Sequence, residues 1–194
     1  MVARYLAITL ALALCACGNT VSSLHYVPAT SIAVAPAPVI GTVAAIDQRK
    51  EAPNRLATVM GGFGNPLKTL DTAKPVKDEV ADAFHEGLRV RGMLGSNDQA
   101  PFRLALVVRR FDADMIVGRT GRIDLTMSVV DRRGNTVYQD AATDSESETK
   151  FFETGIFADI ADLQKLCEIV LNRTVNRMLD KPEFRAAVAQ TSVN

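Results

Sequence analysis

"RIDLTMSVVDRRGNTVYQDAATDS", residues 122–145, decides the fold class. Ile123, Leu125, Met127 and Val129 fall on one side of the segment, and Arg122, Asp124, Thr126 and Ser128 on the other. Successive side chains of a strand point to opposite faces, so this alternation buries one face and leaves the other wet, as in an antiparallel sheet. "DRRGN", 131–135, supplies a hairpin turn with Gly134-Asn135 at its tight point, and Thr136 to about Ser145 returns as the next strand. Upstream, "FRLALVVRRF", 102–111, reads as a third strand.

Working outward, the period changes. In Pro75–Gly92, Val76, Val80, Phe84 and Leu88 recur every four residues, with Ala83 and Gly87 beside them, which is a helix with one apolar stripe. Pro75 suits a first turn. Asp78, Glu79 and Asp82 sit toward the positive end of the helix dipole, Arg89 and Arg91 toward the negative end, and Gly92 is placed to stop it. A second helix is expected from about Ile156 to Leu179. Its stripe is Ile160, Leu163, Cys167, Val170, Leu171, Thr174 and Met178; Pro182 ends or kinks it, with a further turn allowed over 183–189. Val39 to Gln48 is the first strand, and residues 50–74 read as irregular. The order strand, helix, strand, strand, strand, helix predicts an α+β two-layer sandwich. Its sheet has about four mostly antiparallel strands, with two helices packed on one face. The crossover from the first strand through a helix suits a parallel, right-handed connection.

The amino-terminal segment sets the compartment. Met1-Val2-Ala3-Arg4 is basic, and the apolar run Tyr5–Leu14 is about half the ~20 residues a spanning helix needs. This is the pattern of a secretory signal. Leu14-Cys15-Ala16-Cys17 resembles the bacterial lipobox, in which the cysteine after a small residue receives lipid. Cys17 fits that frame, while Cys15 would have Leu14 where a small residue is wanted. A signal cleaved without lipidation, or a Cys-x-Cys metal or redox pair, are the alternatives. The latter would need both thiols in the mature chain and further ligands, and His25 is the candidate nearby. The expected organisation is therefore a cleaved signal peptide at 1–16 and a lipidated Cys17 with an extended tether over 17–38. A single periplasmic domain follows over 39–182, then a carboxy-terminal tail over 183–194. The lipobox resemblance implies the outer membrane, because Gly18 stands where an Asp would signal inner-membrane retention. Ile32–Val34 allows a short edge strand.

Composition narrows the rest. The chain has 194 residues, 47% hydrophobic and 23% charged, with a formal net charge of zero, which suits one globular domain. A neutral chain carries no electrostatic footprint for nucleic acid. The chain has 3 cysteines; cleavage before Cys17 leaves Cys167 as the one thiol free of lipid, so no internal disulfide can staple the mature fold.

The succession "VAAIDQR" (43–49), "GGFGNPLKTL" (61–70) and "PVKDEVADAFHEGLRVRGM" (75–93) resembles the YajG-type bacterial lipoproteins. These are envelope lipoproteins with a lipobox, a strand ending in Asp-x-Arg, a glycine-bearing loop and a helix. The "VVDRRGNTVYQ" hairpin is similar to segments of other periplasmic lipoprotein families. The resemblance implies an envelope lipoprotein and carries no reaction with it.

Candidate site residues follow from local chemistry. Asp47 and Arg49 are two apart on one strand face, available for a partner contact or a salt bridge at the strand exit. Phe63, Gly64 and Asn65 lie in a loop suited to docking on a partner; the loop lacks the Gly-Lys-Ser/Thr of a phosphate cradle. The acids Asp140, Asp144, Glu146 and Glu148 lack the spacing of a calcium loop and read as a solvated strand edge. His25, His85 and Cys167 are isolated, so no catalytic set and no metal site is expected. No cofactor is expected beyond covalent diacylglycerol and acyl lipid at Cys17. The expected role is a lipid-anchored, non-catalytic accessory or adaptor in an envelope complex. The alternative is a carrier or chaperone for a lipid-like ligand, such as an auxiliary lipoprotein of ABC-type transport. Partners are then the membrane and an envelope protein.

Overall fold

A computed structural model describes residues 18–29, 35, 37–60, 63–96, 100–115, 118–148 and 159–190. The signal segment, Cys17, Ile32–Val34, Gly61, Gly62 and the expected helix start at Ile156 lie outside these residues. In chain order the elements are β1 (Gly18–Ser22), β2 (Ile40–Asp47), β3 (Arg55–Met60), β4 (Pro66–Thr72), α1 (Val76–Val90), β5 (Phe102–Met115), β6 (Arg119–Asp131), β7 (Thr136–Glu148), α2 (Ile160–Asp180) and α3 (Pro182–Gln190).

The architecture is α+β, but the sheet is larger than expected. Among the described residues it has seven strands of mixed direction and is accompanied by three helices. Strands β5, β6 and β7 form the antiparallel meander that the alternation announces, with Leu104 opposite Val129 and Met127 opposite Asp140. Ile123, Leu125, Met127 and Val129 are all fully buried. On its other side β5 carries two strands in succession: β2 runs parallel to 102–108, and β3 runs parallel to Ala113–Met115. β4 then pairs antiparallel with β3, and β1 closes this edge parallel to β4.

Strand β5 runs past the expected end at Phe111 because of a bulge. Register shifts between Val108 and Arg110, so Arg109 is the extra residue. Before it Phe102, Leu104, Leu106 and Val108 face the core; after it the buried parity moves to Phe111, Ala113 and Met115.

Helices α1 and α2 lie side by side on the buried face. Val76, Val80, Phe84 and Leu88 are fully buried, as are Leu163, Cys167, Val170, Leu171, Val175 and Met178. Two glycines set the approach. A Cβ on Gly121 in β6 would lie 3.0 Å from Leu166 backbone and side chain, so α2 sits directly on β6 there. A Cβ on Gly87 would lie 2.8 Å from Leu179 Cδ1, so the helices touch there. Asp159 caps α2 by accepting from the Ala161 N–H at 2.9 Å. Of the residues expected as a tail, 183–190 belong to α3, which buries Phe184 against the Tyr138 ring at 5.8 Å between centroids, and 191–194 lie outside the described residues.

Segment 18–29, expected as part of a tether standing off the domain, is extended but docked. After β1 it crosses both helices as a strap. Leu24 N–H donates to Glu79 Oε2, Val27 N–H donates to Asn172 Oδ1, and Gln164 Nε2 donates to Ser23 O. Its backbone polar groups find partners on the body, which an extended segment needs wherever water is excluded.

Candidate functional site

The structure divides the sequence-derived site residues between two places. Asp47 and Arg49 meet at the exit of β2. Arg49 Nε and Nη2 donate to the two Asp47 carboxylate oxygens at 3.0 and 2.9 Å, a bidentate pair. Nη1 donates to Arg55 O and Phe111 O, and Nη2 also to Pro53 O. All five guanidinium N–H donors are therefore consumed, and the side chain is fully buried. This arginine fills the fork where β2 leaves β5 and β3 joins it. Burial acts to raise the Asp47 carboxyl, but hydrogen bonds and charge from Arg49 outweigh it and hold the group below the ordinary carboxylate range. The pair is a structural clip with no donor left for a ligand.

Phe63, Gly64 and Asn65 form the tip of the β3–β4 hairpin, roughly 17 Å along β3 from the clip. Gly64 adopts φ +76°, a left-handed conformation that glycine enters without cost. Phe63 is fully solvated (101%) and Met60 just behind it is 37% exposed. Met60 pairs with Pro66, and two residues further along β4, Lys68 pairs with Gly18. The first described residue of the chain thus lies beside the hairpin tip, and Cys17 is one peptide bond, about 3.8 Å of Cα spacing, before it. Cys17 itself lies outside the described residues.

A second buried arginine escaped sequence reasoning. Arg91 is fully buried and spends all its donors: on Asp180 at 3.0 and 2.6 Å, on Asn176, on the Tyr26 hydroxyl and on Gly87 O. It locks the strap, α1 and α2 together. Its position after the stripe of α1 gives no local sign of this, because every partner but Gly87 is distant in sequence.

The remaining candidates are structural. The β7 acids lie on a sheet edge that is still partly solvated, with Glu148 exposed, but Asp140, Asp144 and Glu146 are paired: Arg173 bridges Asp144 and Glu146, and Lys181 Nζ reaches Asp140 at 2.7 Å, so α2 is tied along this edge. Cys167 is fully buried, and desolvation pushes its thiol far up, the opposite of an activated nucleophile. His85 is exposed, and His25 Nδ1 lies 3.4 Å from Glu168. Among the described residues no group of three or more His, Cys, Asp or Glu is placed to hold a metal ion. Glu79 is the unusual titratable group: it is buried against the strap, and desolvation raises its carboxyl. No helix of the described residues is long and apolar enough to cross a membrane.

No family model matches the sequence, and no curated protein matches it. The fold has solved counterparts. Protein XCC0632 from Xanthomonas campestris, of family DUF330, superposes with a TM-score of 0.57 at 17% identity over 90% of this chain and 100% of its own. An uncharacterized protein superposes with a TM-score of 0.53 at 8% identity over 82% and 96%. A minor lipoprotein from Acinetobacter baumannii gives a TM-score of 0.38 at 15% identity over 58% of this chain and 86% of its own. At these identities the likeness establishes the α+β fold alone.

Proposed function

We propose that this chain is a lipoprotein of the bacterial envelope, attached through Cys17 to the periplasmic face of the outer membrane. It works there as a non-catalytic binding component of an envelope complex. One observation carries the proposal: a short basic and apolar leader that ends in Leu14-Cys15-Ala16-Cys17. The fold is compatible with it, since β1 begins at Gly18 and cleavage before Cys17 removes none of the described strands or helices. Two or three acyl chains on one cysteine make an attachment far stronger than the marginal hold of one chain, at ~0.8 kcal/mol per buried methylene.

The binding role rests on what the polar groups already do. Asp47, Arg49, Arg91 and the β7 acids are committed to internal pairs, and Cys167 is sealed. The layers approach so closely at Gly121 that an added Cβ would lie 3.0 Å from Leu166, which favours an adaptor over a carrier holding a lipid-like ligand between sheet and helices.

The test is Cys17→Ser, followed by membrane fractionation and the intact mass of the mature protein. The expected result is loss of the membrane-bound form and of the lipid mass. A variant that still sediments with membranes, or a wild-type protein whose mature form starts elsewhere, overturns the anchor. Crosslinking in intact cells, read by mass spectrometry, tests the adaptor role; recovery of no envelope protein argues against it.

A further inference from the structure

The β3–β4 tip combines two features that nothing in the fold requires together. Its aromatic ring is fully in water: Phe63 is 101% exposed, whereas Phe84, Phe102, Phe111 and Phe184 are at most 3% exposed. Its position is fixed beside the start of β1. Gly18 pairs with Lys68, only two residues, roughly 7 Å of strand, from the Met60–Pro66 pair behind the tip. β1 is paired along its whole length and the strap after it is bound to α1 and α2, so the body cannot swing away from Gly18. A lipid on the residue before Gly18 therefore holds this one pole of the molecule against the bilayer. An exposed apolar side chain held there meets the headgroup layer, where aromatic rings are favoured.

Resting on the anchor reading above, we infer that the hairpin tip is a second membrane contact. Phe63, with Met60 behind it, enters the interfacial layer of the bilayer beside the lipid on Cys17 and fixes the orientation of the domain. The occupant of the tip is lipid. Gly64, beside Phe63, takes the positive φ of +76° that a tight turn at the tip requires. Val59 pairs with Met115, and Met115 with Arg119, so the β5–β6 connection leaves the sheet at the same pole.

The chain contains no tryptophan, so Phe63→Trp creates a sole reporter at a fully exposed position. The full lipidated protein is reconstituted on vesicles of phosphatidylethanolamine and phosphatidylglycerol, with and without brominated acyl chains. Flotation reads anchoring and quenching reads the tip. The expected result is a blue shift on vesicles and quenching by brominated lipid. Ile46→Trp is the control: Ile46 is 63% exposed and pairs with Val107, eight residues and roughly 26 Å along β5 from Met115, and it stays unquenched. Protein that floats while Phe63→Trp stays unshifted and unquenched overturns the inference and leaves the anchor standing. Failure to float removes the anchor, and the inference falls with it. A blue shift that grows with protein concentration without vesicles assigns the tip to a second copy and overturns the lipid contact.

Discussion

Arg49 and Arg91 show what a buried guanidinium demands of a fold this size. Each spends five donors on groups from several elements, so the cost of disturbing either lies in what is stranded, and the acid partner is the more informative one to remove. Asp180→Ala leaves the Arg91 charge buried without its bidentate partner and is expected to cost ~3–5 kcal/mol, read by urea denaturation. Burial acts to raise Asp180, yet hydrogen bonds from Arg91 and Arg185 leave it lowered, as Asp47 is by Arg49. Groups with depressed folded values stabilise the protein above the ordinary aspartate range of about 3.9, and that stability is lost as pH falls through their lower folded values. Glu79 runs the other way. Its raised carboxyl contributes stability when protonated, and loses it as pH rises through the folded value. Glu79→Gln is therefore expected to raise Tm at pH 7, by roughly 2–4 °C for each ~1 kcal/mol gained, with the gain shrinking at acid pH in a thermal melt. Sequence spacing shows Asp47 and Arg49 as neighbours on one strand. It cannot show that the Pro53, Arg55 and Phe111 carbonyls converge on the same guanidinium, because that convergence belongs to the sheet.

Where an element tolerates no extra atom, the neighbour decides the penalty. Gly121→Ala drives a methyl against the backbone of Leu166, which cannot rotate aside, and is expected to cost ~1–3 kcal/mol. Gly87→Ala meets the ends of the Leu179 and Val175 side chains, which can shift, so its cost is expected to be smaller. Parallel chemical-denaturation curves decide between them. The meander was legible because its alternation is unbroken from Ile123 to Val129. The end of β5 was not, because the bulge at Arg109 reverses the parity that a reader follows. Strands β3 and β4 were missed for another reason: a glycine-rich loop and a proline frame them, and proline is tolerated at a first strand position. β1, "GNTVS", carries no apolar pattern at all and is a strand because β4 offers it an edge.

At the scale of the molecule, the ends close the structure. α3 adds Phe184 and Val188 to the core, so this helix is part of the stability of the domain. Phe184→Ala is expected to cost ~3–5 kcal/mol in a denaturation experiment, a loss that a loose tail would not show. The strap does the corresponding work at the other terminus, where Tyr26 joins the Arg91 cluster.

The parallel ladder of β1 on β4 also has a mechanical meaning. Tension arriving at Gly18 along the strand axis loads the five-residue ladder in shear, across bonds that run between the strands, so they must slip together instead of unzipping one at a time. Behind them the strap must peel from two helices before the core feels the pull. The domain is braced along the axis on which its own amino terminus would tug it.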